Sequence, residues 1–290
     1  MPAPARVAVI IGAMKCGTSS LFEELTRHPQ ICGSNPKEPM YFSRPIGNFD
    51  LAEYGRIWPS FNPAQHTVAL EASTEYTKQP DFPNVAERIK AFAQRNEIDF
   101  RFIYIVRDPL KMIESGLGHG QDEEWLDGNR EALLLHLMEV GNFENQIASY
   151  RHSFGDARLY VTQLEKIVND KSNEMQNLLN FLNIDPEKMS PDARFVARNT
   201  EGKRKDLKTM RTAIERLPGA SIAKTMWEAM PEGARVRMRP AAHAIVGRLV
   251  RRSTTPGEPA RWRITDAEKE EIRERLRPAI ARFADHYAID

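Results

Sequence analysis

The sequence predicts an α/β fold, a P-loop-type three-layer sandwich with a central parallel sheet flanked by helices. Three observations carry this. An apolar run, Val7-Ala-Val-Ile-Ile11, feeds a lysine loop bounded by Gly12 and Gly17 and then a helix start. A second apolar run, from Phe102 to Val106, ends at Arg107 and is followed by a helix that begins with Pro109. Between and beyond them, strand-like and helix-like segments alternate, the pattern of parallel strands joined by crossover helices.

In chain order, short runs rich in β-branched and aromatic residues place strands at 6–11, 68–71, 100–106 and 158–161. Helices are expected at 19–27, 85–95, 110–117, 131–154 and 164–182. Leu134, Met138, Phe143, Ile147 and Tyr150 recur at helical spacing and read as a core face rather than a ligand lining. Thr265-Asp-Ala-Glu268 has the form of a capping box and opens a last helix to about Phe283. At 290 residues the chain is at the upper end of what one core supports. We therefore expect a single domain over 1–290, with a catalytic core at 5–205 and a variable, mostly helical C-terminal subdomain at 206–290.

The first loop has the chemistry of a phosphate cradle. Gly12 and Gly17 lack a Cβ, so the backbone can turn tightly and bring N–H groups close to an anion. Thr18 or Ser19 opens a helix, whose start offers unpaired N–H donors and a positive dipole end. Lys15 adds a point charge. In the ATP-type loop, G-x-x-x-x-G-K-[ST], the lysine follows the second glycine, whereas here Lys15 precedes Gly17 by two residues. An ordinary strand-turn-helix with an exposed lysine is the bland alternative. At the second strand, Arg107 lies at a carboxyl end, where open α/β sheets bind ligands. It can fork onto a phosphate, with the Ser115 hydroxyl as a second donor. Taken alone, an Arg-Asp pair at a strand end is more often a salt bridge or turn.

Together the two motifs resemble the sulfotransferases that use 3′-phosphoadenosine 5′-phosphosulfate (PAPS). In that family a K-x-G-T-[ST] loop grips the 5′-phosphosulfate, and an Arg with a Ser eight residues later grips the 3′-phosphate. Here these are Lys15, Cys16, Gly17, Thr18 and Ser19, and Arg107 with Ser115. The likeness continues through Pro36–Phe42, Leu70–Tyr76, Gly141–Tyr150 and Arg198–Arg204. It looks closest to the branch holding heparan sulfate sulfotransferases and many bacterial homologues. The resemblance implies PAPS as co-substrate, no metal, and transfer to a hydroxyl or amine of a carbohydrate or small-molecule acceptor. It also implies that Glu38, in Lys37-Glu-Pro-Met-Tyr-Phe42, is the general base and that Lys15 neutralises the leaving oxygens. A glycine-containing basic loop, here Arg198, Gly202, Lys203 and Arg204, closes over the nucleotide in the family. Where the glucosaminyl 3-O-sulfotransferases carry a histidine, an aspartate and a lysine, this chain has Met40, Ser43 and Ala72. The heparan-type acceptor is therefore not carried over. Glu71, Glu75 and His119 are the other candidates to assist Glu38, with His119 read as a surface-loop residue.

Composition excludes several classes. Lysine and arginine number 41 against 40 aspartate and glutamate, so bulk charge does not suit generic nucleic-acid binding. There is no H-E-x-x-H, no cysteine pair at zinc spacing and no acidic calcium loop. Cys16 and Cys32 do not make a disulfide framework. The opening residues run into the first strand without a charged-then-apolar segment, and no run reaches membrane-span length, so the expectation is a cytoplasmic, bacterial-type protein. The stretch 234–252 holds Arg235, Arg237, Arg239, Arg248, Arg251 and Arg252 without an acidic residue. It can steer an anionic acceptor, touch an anionic surface or cover the site, though a solvated helix face is the plainer account. Two other functions stay open: a P-loop kinase using Mg-ATP, which needs a strand-end carboxylate for its metal, and a nucleotide-binding regulator without chemistry.

Overall fold

Five parallel strands form one sheet in the order β2-β3-β1-β4-β5. The structure, a computed structural model, describes residues 4–44, 47, 49–189 and 261–289. The strands are β1 Arg6–Gly12, β2 Ile31–Gly33, β3 Val68–Glu71, β4 Asp99–Val106 and β5 Leu159–Gln163. β1 is central and its interior residues are buried, as a strand covered on both faces requires. Registers such as Val7 opposite Ala69 and Phe100 align the carboxyl ends of β3, β1 and β4 on one edge.

The alternating side chains of β4 show how the layers arise. Phe100, Phe102 and Tyr104 share one face. Phe100 meets Phe92 of α3 (Val85–Asn96), and Phe102 meets Tyr150 and Phe154 of α6 (Phe143–Phe154). Tyr104 reaches Phe143 of α6 and Phe283 of α9 (Asp266–Tyr287). On the opposite face Arg101 reaches the carbonyl of Phe181 at the end of α8 (Lys171–Phe181). Lys171 of that helix pairs with Glu24 of α1 (Thr18–Leu25) at 2.7 Å. Two helical layers thus enclose the sheet, as expected.

The departures from the expected elements have local causes. Residues 131–154 form two helices, α5 (Arg130–Val140) and α6, because Asn142 accepts from the Asn145 N–H at 3.2 Å and starts a new helix. Asp170 does the same between α7 (Leu164–Asn169) and α8, accepting from Asn173 N at 3.4 Å. α4 (Pro109–Asp122) carries Gly116 and runs past the expected end at Leu117 through Gly118 and Gly120. Leu137 and Leu133 of α5 lie where Gly116 and Gly120 have no Cβ. β2 and the short α2 (Leu51–Gly55) were too brief to register as patterns. The capping box is present: Thr265 Oγ1 accepts from Glu268 N at 3.2 Å and the Glu268 carboxylate accepts from Thr265 N at 2.8 Å. Among the described residues no helix is long and apolar enough to cross a membrane.

Candidate active site

The chain passes from β1 outward to β2 and β3 on one side and then crosses to β4 and β5 on the other. The loops after β1 and β4 therefore flank the switch point where open parallel sheets take ligands. In the first of these loops a Cβ on Gly12 would overlap Thr77 Oγ1, whose hydroxyl donates to the Ile11 carbonyl at 2.7 Å. Gly17 has φ 92, and a Cβ there would lie 2.8 Å from Leu164 Cδ1. Both positions need glycine, one for close approach and one for its left-handed backbone as well. Lys15 also has a left-handed backbone, φ 62. Thr18 and Ser19 fill the first turn of α1, whose N–H groups have no intrahelical acceptor. The Cys16 thiol turns inward, donating to the Met14 carbonyl at 3.4 Å. Its burial pushes the thiol well above the ordinary range, against the opposing pull of the Arg107 guanidinium. Cys16 offers the loop no reactive side chain.

Arg107 follows β4 and crosses to the first loop, its Nη1 donating to the Lys15 carbonyl at 3.1 Å. Its Nε is buried and has no hydrogen-bond acceptor among the described residues. An orphaned buried guanidinium N–H is costly. An anion seated beside the loop would relieve it, so the residues present fit a phosphate. Ser115 lies half-buried on α4, which Asp108 caps by accepting from Leu110 N at 2.8 Å.

Glu38 lies beside the same loop. Its Oε1 accepts from Lys37 Nζ at 2.6 Å and its Oε2 from Thr74 Oγ1 at 3.2 Å. Lys37 Nζ also donates to Ser19 Oγ at 2.9 Å. One ammonium therefore joins the expected base to the first turn of α1. The Lys37 backbone is fixed by Ser34 Oγ and Ala72 N, which donate to its carbonyl at 3.0 and 3.1 Å. Sequence reasoning singled out Glu38 but gave Lys37 and Thr74 no part in the chemistry. The adjacency of Lys37 to Glu38 was the one available signal.

Glu71 forms the floor of this segment. It ends β3 fully buried and accepts from Tyr54 OH at 2.7 Å, Ser73 Oγ at 2.8 Å and Tyr76 OH at 3.4 Å. Those hydroxyls in turn take backbone N–H groups of the Glu38 segment: Met40 N donates to Ser73 Oγ and Phe42 N to Tyr76 OH, both at 3.1 Å. Burial raises the Glu71 carboxyl to about 7, against the pull of its three donors. Glu71 thus supports Glu38 from beneath.

His119 sits half-buried within α4, not in a surface loop, with its ring edge-to-face on Trp125 at 4.9 Å. Glu75 lies in the short turn Thr74–Thr77. Arg198, Gly202, Lys203 and Arg204 lie outside the described residues, as does the basic stretch 234–252. Among the described residues no group of His, Cys, Asp and Glu is placed to hold a metal ion.

No family model matches the chain. It is 26% identical over 207 residues to heparan sulfate glucosamine 3-O-sulfotransferase 3B1 of Mus musculus, covering 67% of this chain and 50% of that protein. The Homo sapiens protein of the same name is 25% identical over the same length and shares. The chain spans about half the length of the curated relatives it matches. A sulfotransferase crystal structure from Alicyclobacillus acidocaldarius aligns with TM-score 0.55 at 21% identity, over 71% of this chain and 90% of that one, so the fold is shared. The distant likeness in sequence and the shared fold together support assignment to the PAPS-dependent sulfotransferases.

Proposed function

We propose that this chain is an enzyme that moves the sulfuryl group of PAPS to a hydroxyl or amine of a carbohydrate or small-molecule acceptor, with Glu38 as general base. The observation that carries the reading is the pairing across the switch point. Arg107 binds the Lys15 carbonyl and keeps a buried donor that is unmatched among the described residues, beside a glycine-bounded helix start. Lys15 and the first turn of α1 hold the 5′-phosphosulfate; Arg107 and Ser115 take the 3′-phosphate. Arg198, Gly202, Lys203 and Arg204 close over the nucleotide in this reading. The carbohydrate acceptor rests on the likeness to the heparan sulfate glucosamine 3-O-sulfotransferases. A cytoplasmic, bacterial setting and anionic-surface contact through 234–252 belong to the same proposal.

Transfer in line from one oxygen to another needs positioning and charge stabilisation more than covalent chemistry. Glu38 supplies the remaining step by accepting the acceptor's proton, and its contacts with Lys37 and Thr74 hold the carboxylate in one orientation. The kinase reading is disfavoured by Glu71. It stands at the strand end beside β1, where Mg-ATP chemistry asks for a carboxylate, but it is buried beneath three hydroxyl donors.

The test is incubation of the protein with PAPS and a panel of saccharide and small-molecule acceptors, with sulfated product read by mass. Acceptor-dependent product from the native chain and none from Glu38→Gln is expected. Substantial product from Glu38→Gln removes Glu38 from the base role. Tight nucleotide binding with no product from any acceptor favours the regulator.

A further inference from the structure

In the roles assigned above Lys37 only orients Glu38, yet its ammonium touches both ends of the proposed chemistry. Nζ is 2.6 Å from Glu38 Oε1 and 2.9 Å from Ser19 Oγ, so base and phosphate loop are separated by no more than two hydrogen-bond lengths. The side chain is 23% exposed, and its backbone carbonyl is pinned by two donors. A surface ion pair would not be tied at three points, one of them a hydroxyl of the helix start.

In-line transfer places the attacking atom and the leaving oxygen at opposite ends of one axis, with the three sulfuryl oxygens around its middle. A base addresses the attacking end and the phosphate loop addresses the leaving end. A group held between base and loop faces the middle. We propose that Lys37 is a further catalytic residue, whose ammonium donates to the equatorial oxygens of the sulfuryl group as it passes from PAPS to the acceptor. This rests on the sulfotransferase reading above and adds a second cation to Lys15.

The step balances without further reagents. The bond from sulfur to the bridging phosphate oxygen breaks, its electron pair stays on the departing 3′-phosphoadenosine 5′-phosphate (PAP), and a bond forms from sulfur to the acceptor atom. The acceptor's proton passes to the Glu38 carboxylate. Lys37 keeps its proton throughout and supplies charge where the transferring oxygens are negative.

PAP lacks the sulfuryl group, which makes the nucleotide pair a direct test. Calorimetric titrations of the full chain with PAPS and with PAP are run on the native protein, Lys37→Met and Lys37→Arg. Lys37→Met is expected to weaken PAPS by about tenfold to a hundredfold, the range for one hydrogen bond to a charged group. PAP affinity should stay within about twofold, since a shape-preserving neutral side chain leaves the phosphate contacts alone. Lys37→Arg should recover part of the PAPS affinity. Equal weakening of PAPS and PAP would make Lys37 a structural prop and overturn the assignment, as would no change in either. If Lys37→Met fails to fold, Lys37→Gln carries the same comparison. A native chain that binds PAP no better than 5′-AMP overturns the sulfotransferase reading itself, an outcome seen before any variant is measured.

Discussion

Replacing Glu71 by glutamine changes one atom pair in the floor beneath the Glu38 segment and removes a buried titration. In the folded chain burial raises the carboxyl from 4.5 to about 7. Because the folded value exceeds the unfolded one, the native state binds more protons between them. The associated stability is fully present below about 4.5 and is lost as pH rises through about 7. At 1.36 kcal/mol per pH unit the loss is about 3 kcal/mol. Glu71 is fully buried, so solvent screening takes nothing from this figure. Glutamine keeps the shape and an acceptor for the Tyr54, Ser73 and Tyr76 hydroxyls but does not titrate. Urea unfolding of the native chain and of Glu71→Gln, followed between pH about 4.5 and about 8, gives two stability curves. The native-minus-variant difference should fall by about 3 kcal/mol across that window and then level off. A difference independent of pH would refute the reasoning, for it would mean that the carboxyl keeps one protonation state throughout.

Other outcomes follow from the same geometry. Gly17→Ala forces a Cβ onto a residue at φ 92 against Leu164, so it should cost about 1–3 kcal/mol and weaken PAP by at least about tenfold; unchanged melting and affinity would contradict the tight loop. Cys16, buried with its thiol held well above the ordinary range, should resist iodoacetamide in the native chain near neutral pH and react only on unfolding. Rapid native labelling, mapped to Cys16 by mass spectrometry, would show the loop to be open. Glu38→Gln should retain PAP affinity within about twofold in calorimetry, since Lys37 stands between Glu38 and the Ser19 hydroxyl; a large loss would make Glu38 part of the nucleotide site.

What the sequence disclosed was what local chemistry encodes. Gly12 and Gly17 announce a backbone that no side chain could share, Pro109 announces a helix start, and Thr265 with Glu268 announces a cap. Asn142 and Asp170 carried stop-and-start signals as well, but the apolar periodicity running across them outweighed a single capping side chain, so α5 and α6 read as one helix. β2, three residues long, is recruited by pairing with β3 and has no pattern of its own. At the site, Lys15 to Ser19 and Arg107 were legible because each ends a strand. Their meeting was not, since it depends on β1 and β4 lying side by side. Thr74 and Glu71 gained their parts only when β3 brought the turn after it beneath the 37–42 segment. Spacing along the chain does not show which loops meet over a sheet.

The central claim is most directly tested by calorimetric titration of the chain with PAP, with 5′-AMP and Mg-ATP as comparators and Arg107→Ala as the control variant. Tight PAP binding that depends on the 3′-phosphate and falls by about tenfold to a hundredfold in Arg107→Ala is the expected result. Equal binding of PAP and 5′-AMP, or a preference for Mg-ATP, would contradict the assignment of the Arg107 donor to a phosphate and turn the site toward kinase chemistry.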